Sequence, residues 1–596
     1  MLLLIGIGMA LLLSAIQILV LHRTTSAKDS LLLTVKNVLF LHLLSVALFQ
    51  YVFHYQHYLI TAQYGVTDFL LYVGICIVVS LLFLWIDYFL AKHWLKKSRE
   101  KGNSLLTGIL CILFVFVGVL CVTLTNWSKV EFGDLPIDQA LITYLSPTVG
   151  SNAIDIISAI EGPVFLAFLC AVGVGVFAFA HIGFLPRKLH RIISLLLSIA
   201  ILLGGTIYGV WKFRLTDLHT HYFLKSTLID ENYIDPRNAN IQFPEKKRNL
   251  IHIYLESMEN SYMSTENGGF METDLIPELT QLAGEGYSFS HLEKGFGGPQ
   301  SAVGTTWSVA SMVNMSTGLP MKMPMDKNAY MQKDSFLPGA WTLGDILAEE
   351  GYEQTLMFGA DADFGGLTTY FKTHGNFNIK DYKYAKETGA IPKDYNVWWG
   401  YEDEKLFEFA KEELTRLSNT GKPFNFTMET ADTHRPDGYL AEDTPAPYPN
   451  QYANVVAHSS AQVYEFVRWI QQQPFYDNTT VVIIGDHISM ESNFFKFYGF
   501  PKEYRRSQYN VILNPAPGVA SRNPEILQMR DYANFDMFPT ILSSLGVTFD
   551  GSRLGIGTDL FSGEKTLFEE KGYPYADREL AKRSDLYDQK IFGTSN

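Results

Sequence analysis

The sequence predicts a chain in two parts: an N-terminal multi-span transmembrane helical domain and a C-terminal extracytoplasmic α/β domain with a mostly parallel central sheet. Three observations carry that prediction. Long apolar windows crowd the first 212 residues, basic residues alternate between the loops joining them, and from residue 249 short apolar runs alternate with amphipathic stretches. At 596 residues the chain exceeds what one hydrophobic core usually organises. Its 47% hydrophobic content is concentrated before residue 213.

Six windows approach the roughly 20 residues needed to span a bilayer: 2–21, 33–53, 69–90, 105–124, 164–184 and 192–212. The first lacks the basic n-region and small-residue cleavage site of a signal peptide, and more spans follow it. Three alternate loops are basic: Arg23 and Lys28; Lys92, Lys96, Lys97, Arg99 and Lys101; and Arg187, Lys188 and Arg191. Between them, 54–68 and 125–163 hold one Lys, with Glu131, Asp134, Asp138 and Asp155. The positive-inside rule makes the basic loops cytoplasmic and puts both the N-terminus and the C-terminal half outside. Lys36 and Asp87 lie near cytoplasmic ends, where they can snorkel. No window carries a charge at mid-depth, which argues against transport.

Residues 213–248 read as a juxtamembrane linker, and 249–596 as the extracytoplasmic domain. Strand-like runs fall at 249–255, 353–358, 423–428 and 480–485, with helix-like stretches at 341–350, 403–417 and 455–472. That alternation signals a parallel α/β sheet. All four cysteines (Cys76, Cys111, Cys121, Cys170) precede residue 213, so the polar half has neither disulfides nor thiolate metal ligands. The net charge of −14 and the lack of a basic stripe in the polar half argue against a nucleic-acid partner.

Ligands of open α/β sheets gather beyond the carboxyl ends of the strands. "NLIHIYLES" runs a strand into Glu256, and "TTVVIIGDHIS" runs another into Asp486 and His487. A lone strand-final Glu is more often a surface or capping residue. Two such endings together point to a metal, because two carboxylates and an imidazole suit Mn²⁺, Zn²⁺ or Mg²⁺. In "GGPQSAVGTTWSVASMVNMSTGLP" a glycine loop leads into helical spacing from Val309, placing Thr305 and Thr306 at a helix N-terminus. A Thr there is commonly just a cap. It is also where free N–H groups favour a phosphate, and a nearby metal would activate the hydroxyl. "PFNFTMETADTHRPDGYL" carries His434 in a loop after a strand-like run, a candidate to bind phosphate or move a proton.

These segments together resemble the membrane-anchored phosphoglycerol transferases of the alkaline phosphatase/sulfatase superfamily, over roughly residues 245–565. "IYLES" matches a first metal motif, "GTTWSVASMV" a nucleophile motif, "TADTHRPDG" a His loop and "GDHISM" a second metal motif. "SRLGIGTDLFSG" resembles a closing segment of the glucan and cell-wall polysaccharide branch. The resemblance implies Glu256, Thr305, Asp486 and His487 as metal ligands and Thr305, chosen over Thr306, as nucleophile, with His434 assisting. It implies Mn²⁺ first, then Mg²⁺ or Zn²⁺. Phosphatidylglycerol in the bilayer would be the donor, and an envelope polysaccharide or glucan the acceptor. It places the protein as a multi-pass species of a bacterial cytoplasmic membrane.

Departures narrow the expectation. Lipoteichoic-acid synthases carry a Trp and an Arg where this chain reads "DADFGGLTTYFKT", which argues against polyglycerolphosphate synthesis. "TTWSV" cannot supply the C/S-x-P-x-R motif of sulfatases. Phosphodiester hydrolysis, with water as acceptor, would use the same residues. Lys372 and His374 are candidates for the headgroup or for a solvated helix end. Arg505 and Arg506 read as surface, and Trp307, Trp398 and Trp399 as core or sugar-stacking residues.

Overall fold

A computed structural model describes residues 2–20, 37, 41, 45, 66–93, 105–132, 159–179, 186–323, 335–520 and 523–593. The chain separates into two compact units, one holding the N-terminal helices through Thr216 and the other holding Asp217 onward.

The described residues of the N-terminal unit are mainly helical, with long helices at Leu2–Val20, Val66–His93, Leu105–Phe132, Phe165–Phe179 and Arg187–Lys212. Two stretches, Leu106–Lys129 and Lys188–Lys212, are long and apolar enough to cross a membrane. Gly6–Ile16, Phe69–Leu82 and Gly162–Val174 are shorter apolar stretches. The expected window at 33–53 and the basic loops at 22–32 and 94–101 lie outside the described residues. Five of the six windows thus coincide with helices, and among the described residues two of these helices meet both the length and the hydropathy needed to span. Close packing marks one pair: a Cβ on Gly205 would lie 1.9 Å from the Gly118 carbonyl oxygen, so neither helix tolerates a side chain at the crossing.

The second unit is an α/β sandwich around a six-stranded sheet of order β3-β2-β4-β1-β5-β6. The strands are β1 (Asn249–Leu255), β2 (Glu353–Phe358), β3 (Asn378–Lys380), β4 (Phe424–Glu429), β5 (Thr479–Gly485) and β6 (Asn510–Leu513). All pairings are parallel except β5 with β6. β1, β4 and β5 are buried along their whole length, as expected of a parallel sheet covered on both faces.

Alternation along the strands divides two cores. Leu250, Tyr254, Val482 and Ile484 face the layer containing the Ser308–Thr317 and Met537–Ser544 helices. Ile251, Ile253, Val481 and Ile483 face the layer of Pro277–Glu285, Asp403–Ser418 and Gln451–Gln471. Because side chains repeat every second residue, Glu256 and Asp486 continue the first row. Both project toward the start of the Ser308–Thr317 helix.

Two differences from the sequence reading have simple causes. β3 and β6 were not expected: at three and four residues they are too short for periodicity to reveal. The segment read as a linker is folded from Asp217 onward. Ile234 N–H donates to Gly555 at 2.8 Å, Gln242 N–H donates to Thr548 at 2.8 Å, and Lys225 bridges Arg583. Its polar composition hides this, because backbone pairing needs no apolar side chains.

Candidate active site

β1 and β5 are neighbours, with Leu255 opposite Gly485, so the residues that follow them emerge side by side. Gly485 makes this approach possible, since a Cβ there would sit 2.0 Å from the Met258 carbonyl oxygen. Glu256, Asp486 and His487 come together, each with one potential ligand atom within 4.8 Å of the others', and all three are buried. His487 Nε2 lies 3.2 Å from Asp486 Oδ2 and 3.6 Å from Glu256 Oε1.

Each of the three is held from behind. Asp486 Oδ1 accepts the N–H groups of Ser257 (2.8 Å) and His487 (2.7 Å). Ser257 adopts φ 55°, a conformation that costs a non-glycine residue energy and tends to persist at functional sites. Its hydroxyl donates to Glu256 Oε1 at 2.7 Å. His487 Nδ1 faces the Ile488 carbonyl at 2.9 Å, so Nδ1 carries a proton and Nε2 is the ring nitrogen turned toward the carboxylates, open to a cation once its own proton is lost. Ser311 and Asn534 both donate to the Asp486 carbonyl oxygen.

The site is strongly anionic. Glu429, the last residue of β4, is 1% exposed and approaches Asp486. Burial, then the Asp486 and Glu256 charges, push its carboxyl well above the usual range. Burial and then Glu256 push Asp486 up to about 7. Burial opposes a charged His487, yet Asp486 and Glu256 more than offset it and raise its pKa. Asp486 Oδ2 and Glu429 Oε1 are buried with no hydrogen-bond partner. Buried carboxylate oxygens without hydrogen-bond partners, beside an imidazole nitrogen, are a donor set fitted to a divalent cation. Glu256, Asp486 and His487 would hold it. "FNFTME" ends on a carboxylate just as "NLIHIYLE" does, a signal in the sequence that would have found Glu429.

The hydroxyl beside this cluster is not the one the sequence suggested. Thr305 is fully buried three residues ahead of the helix. Its Oγ1 accepts the Ala302 N–H and donates to the Ala302 carbonyl, both at 2.9 Å. Local hydrogen bonding therefore engages Thr305, as short hydroxyl side chains in turns commonly do. The helix begins at Ser308, with Trp307 as its N-cap. Ser308 Oγ donates to Glu256 Oε2 at 3.2 Å. The sequence reading missed Ser308 because it started the helix from the apolar period at Val309, one residue late.

His434 is partly buried in the loop after β4. Its Nδ1 faces the Arg435 carbonyl at 2.6 Å, which leaves Nε2 as acceptor, and its ring stands edge-on to Trp399 at 4.7 Å. Burial lowers its pKa to about 4, with Arg435 and His487 adding to the fall, so the ring is neutral at pH 7. Hydrogen bonds to neighbouring segments hold the loop. Thr433 Oγ1 donates to the Glu256 carbonyl, and the Ala431 and Asp432 N–H groups donate to Asp403.

Other sequence candidates separate clearly. His374 is buried between Asp345 (2.9 Å) and the Phe336 carbonyl (2.7 Å), so both its ring nitrogens are engaged, whereas Lys372 is exposed. Arg505 pairs with Asp531 at 2.8 Å and is partly exposed. Arg506, expected at the surface, instead pairs with the fully buried Glu259. Trp307 is 7% exposed and belongs to the core.

The sulfatase family profile matches residues 248–547, half of the chain. The chain belongs to the sulfatase family. Its sulfatase domain is similar to phosphoglycerol transferase I of Escherichia coli, at 31% identity over 327 residues. That match covers 54% of this chain and 40% of the relative, so the aligned region spans well under half of the relative's length. Similar solved structures include the lipoteichoic acid synthase LtaP of Listeria monocytogenes (18% identity, TM-score 0.41, 57% of this chain and 82% of that one). Another is the lipooligosaccharide phosphoethanolamine transferase EptA of Neisseria meningitidis (15% identity, TM-score 0.45, 86% and 95%).

Proposed function

We propose that this sulfatase-family protein transfers glycerol phosphate from phosphatidylglycerol to a cell-envelope glycan through a covalent phospho-enzyme intermediate. We place the attacking hydroxyl on Ser308 in place of Thr305, and the divalent metal, Mn²⁺ by preference, on Glu256, Asp486 and His487. The observation that carries this is Ser308 Oγ at the first turn of its helix, hydrogen-bonded to Glu256 beside the buried cluster. The similarity to a phosphoglycerol transferase supports the choice of donor.

A bound divalent ion would supply Lewis-acid stabilisation of charge on the phosphoryl oxygens and lower the pKa of a neighbouring hydroxyl. The chain's own residues do the remainder. The N–H groups opening the Ser308–Thr317 helix face the phosphate and favour its negative charge. Ser308 Oγ forms the new P–O bond as the P–O bond to diacylglycerol breaks, and the serine proton leaves with diacylglycerol. In the second step a sugar hydroxyl attacks the same phosphorus and the serine oxygen departs. His434, neutral with Nε2 as acceptor, takes the proton of the incoming hydroxyl in this reading, and that proton passes on to the departing serine oxygen so that Ser308 is restored.

An N-terminal anchor of about six spans in a bacterial cytoplasmic membrane, with the domain outside, would keep the enzyme beside its lipid donor. The test is incubation of the full chain with labelled phosphatidylglycerol and Mn²⁺, with and without an oligosaccharide. The expected result is diacylglycerol release, a glycerophosphoryl adduct on the peptide containing Ser308, and label passing to the sugar. Label passing only to water would make the enzyme a hydrolase. An adduct on Thr305 would restore the threonine assignment.

A further inference from the structure

The residues that face the substrate in this reading lie on three separate segments: Glu256 after β1, His487 after β5 and His434 after β4. Parallel-strand pairing ends before all of them. Something other than the ladder must hold the three ends in mutual position, and one backbone unit meets that need. Ser489, two residues past His487, donates its N–H to Glu259 Oε1 at 2.6 Å. Glu259, three residues past Glu256, is fully buried and takes Arg506 as its ion-pair partner, with Arg506 Nε 2.9 Å from Oε2. The same guanidinium donates to the Ser489 carbonyl oxygen. Both backbone groups of Ser489 are therefore held by one buried ion pair. Its side-chain hydroxyl meets the Tyr452 hydroxyl at 2.9 Å, and the Tyr452 hydroxyl donates to the carbonyl of Thr433, the residue before His434, at 2.9 Å.

We propose that Glu259, Arg506, Ser489 and Tyr452 form a positioning network that joins the metal-ligand loops to each other and to the His434 loop. The proposal rests on the metal-centre reading above, but none of these four groups touches the cation or the substrate. The arrangement is asymmetric. The Glu259–Arg506 end braces the two ligand loops, whereas Tyr452 joins Ser489 to the carbonyl of Thr433, in addition to the Thr433–Glu256 hydrogen bond. A planar guanidinium suits the first task because it serves a carboxylate and a carbonyl from one rigid fork. A tyrosine suits the second because its ring packs among Tyr262 and Phe494 while its hydroxyl reaches two loops.

The two ends should therefore fail differently. Partners outside the ligand set typically change metal affinity 10–100-fold when removed. In the full chain in detergent, Mn²⁺ binding is read from the free-ion electron paramagnetic resonance signal, and turnover from diacylglycerol release. Arg506→Met is expected to weaken Mn²⁺ binding about 10–100-fold, with Arg506→Lys recovering part of the loss. Tyr452→Phe is expected to keep Mn²⁺ affinity within about threefold and lower kcat about tenfold, with KM for phosphatidylglycerol unchanged. A purely structural role would lower the melting temperature without producing this split.

If Arg506→Met does not fold, Glu259→Gln, which keeps shape and an acceptor for Ser489, takes its place with the same expected direction. Wild-type Mn²⁺ affinity in the folded Arg506 or Glu259 variant overturns the ligand-loop brace. Wild-type kcat in Tyr452→Phe overturns the link to His434. Glu256→Gln serves as control: unchanged Mn²⁺ binding in that variant would sink the metal-centre reading itself, a result separable from failure of the network.

Discussion

The carboxylate cluster proposed to hold the metal rests on two adjacent parallel strands, whereas the hydroxyl and imidazole assigned to it rest on a helix start and a loop. Glu256 and Asp486 inherit their positions from the β1–β5 register, in which seven consecutive residues of each strand are paired. Ser308 and His434 depend on side-chain ties instead: Ser311 to the Asp486 carbonyl, Thr433 to the Glu256 carbonyl, and the N–H groups after β4 to Asp403. The ladder fixes the face and the point at which these ligands leave the sheet, since a single step of slip would flip them to the other face. A loop-borne group moves when one hydrogen bond is lost. The contrast suggests that the strand half sets whether a cation binds, and the loop half sets how fast the bound site turns over.

Substitutions can break that contrast, and the largest effect belongs to Ser308. Ser308→Ala is expected to abolish the covalent adduct and lower turnover by about 10⁴-fold or more, with Mn²⁺ binding retained. Intact-protein mass spectrometry after exposure to phosphatidylglycerol reads the adduct, and its persistence in Ser308→Ala would reject the serine. Next comes Glu256→Gln, expected to cost Mn²⁺ affinity more than about 100-fold because it removes a ligand and not merely an outer partner. Isothermal titration of metal-depleted protein measures this, and an affinity equal to wild type would refute the cluster.

His374→Ala sharpens the boundary of the site. It leaves Asp345 and the buried Phe336 carbonyl without their shared partner, for an expected loss of about 1–3 kcal/mol in denaturant unfolding. KM for phosphatidylglycerol should stay at its wild-type value, and a rise would return His374 to the headgroup. Thr305→Ala is smaller, at about 1 kcal/mol for the two bonds to Ala302, with turnover kept within about threefold. Smallest is a pH effect on metal-depleted protein. With a folded pKa near 4, His434 binds fewer protons folded than unfolded between pH 4 and 6.5. Stability should therefore rise with pH across that window, by about 1 kcal/mol once solvent screening of a partly exposed ring is allowed for. His434→Gln should flatten this part of the curve, and an unchanged slope would place the ring in a different environment.

The sequence by itself determined the α/β domain, its four longest strands and three residues that converge at the strand ends. An apolar run ending in "E" or "DH" carries both its burial and its exit point in consecutive letters. It also marked helices in the N-terminal part, because composition alone decides whether a segment can lie in lipid. The tertiary structure decided what composition and spacing cannot express. It turned Thr305 inward onto Ala302 and brought Ser308 to Glu256, a choice made by where the helix starts in space. It paired Arg506 with the buried Glu259 across 247 residues of chain. Those outcomes depend on contacts between segments far apart in sequence, whose energies appear only once β1, β4 and β5 lie side by side.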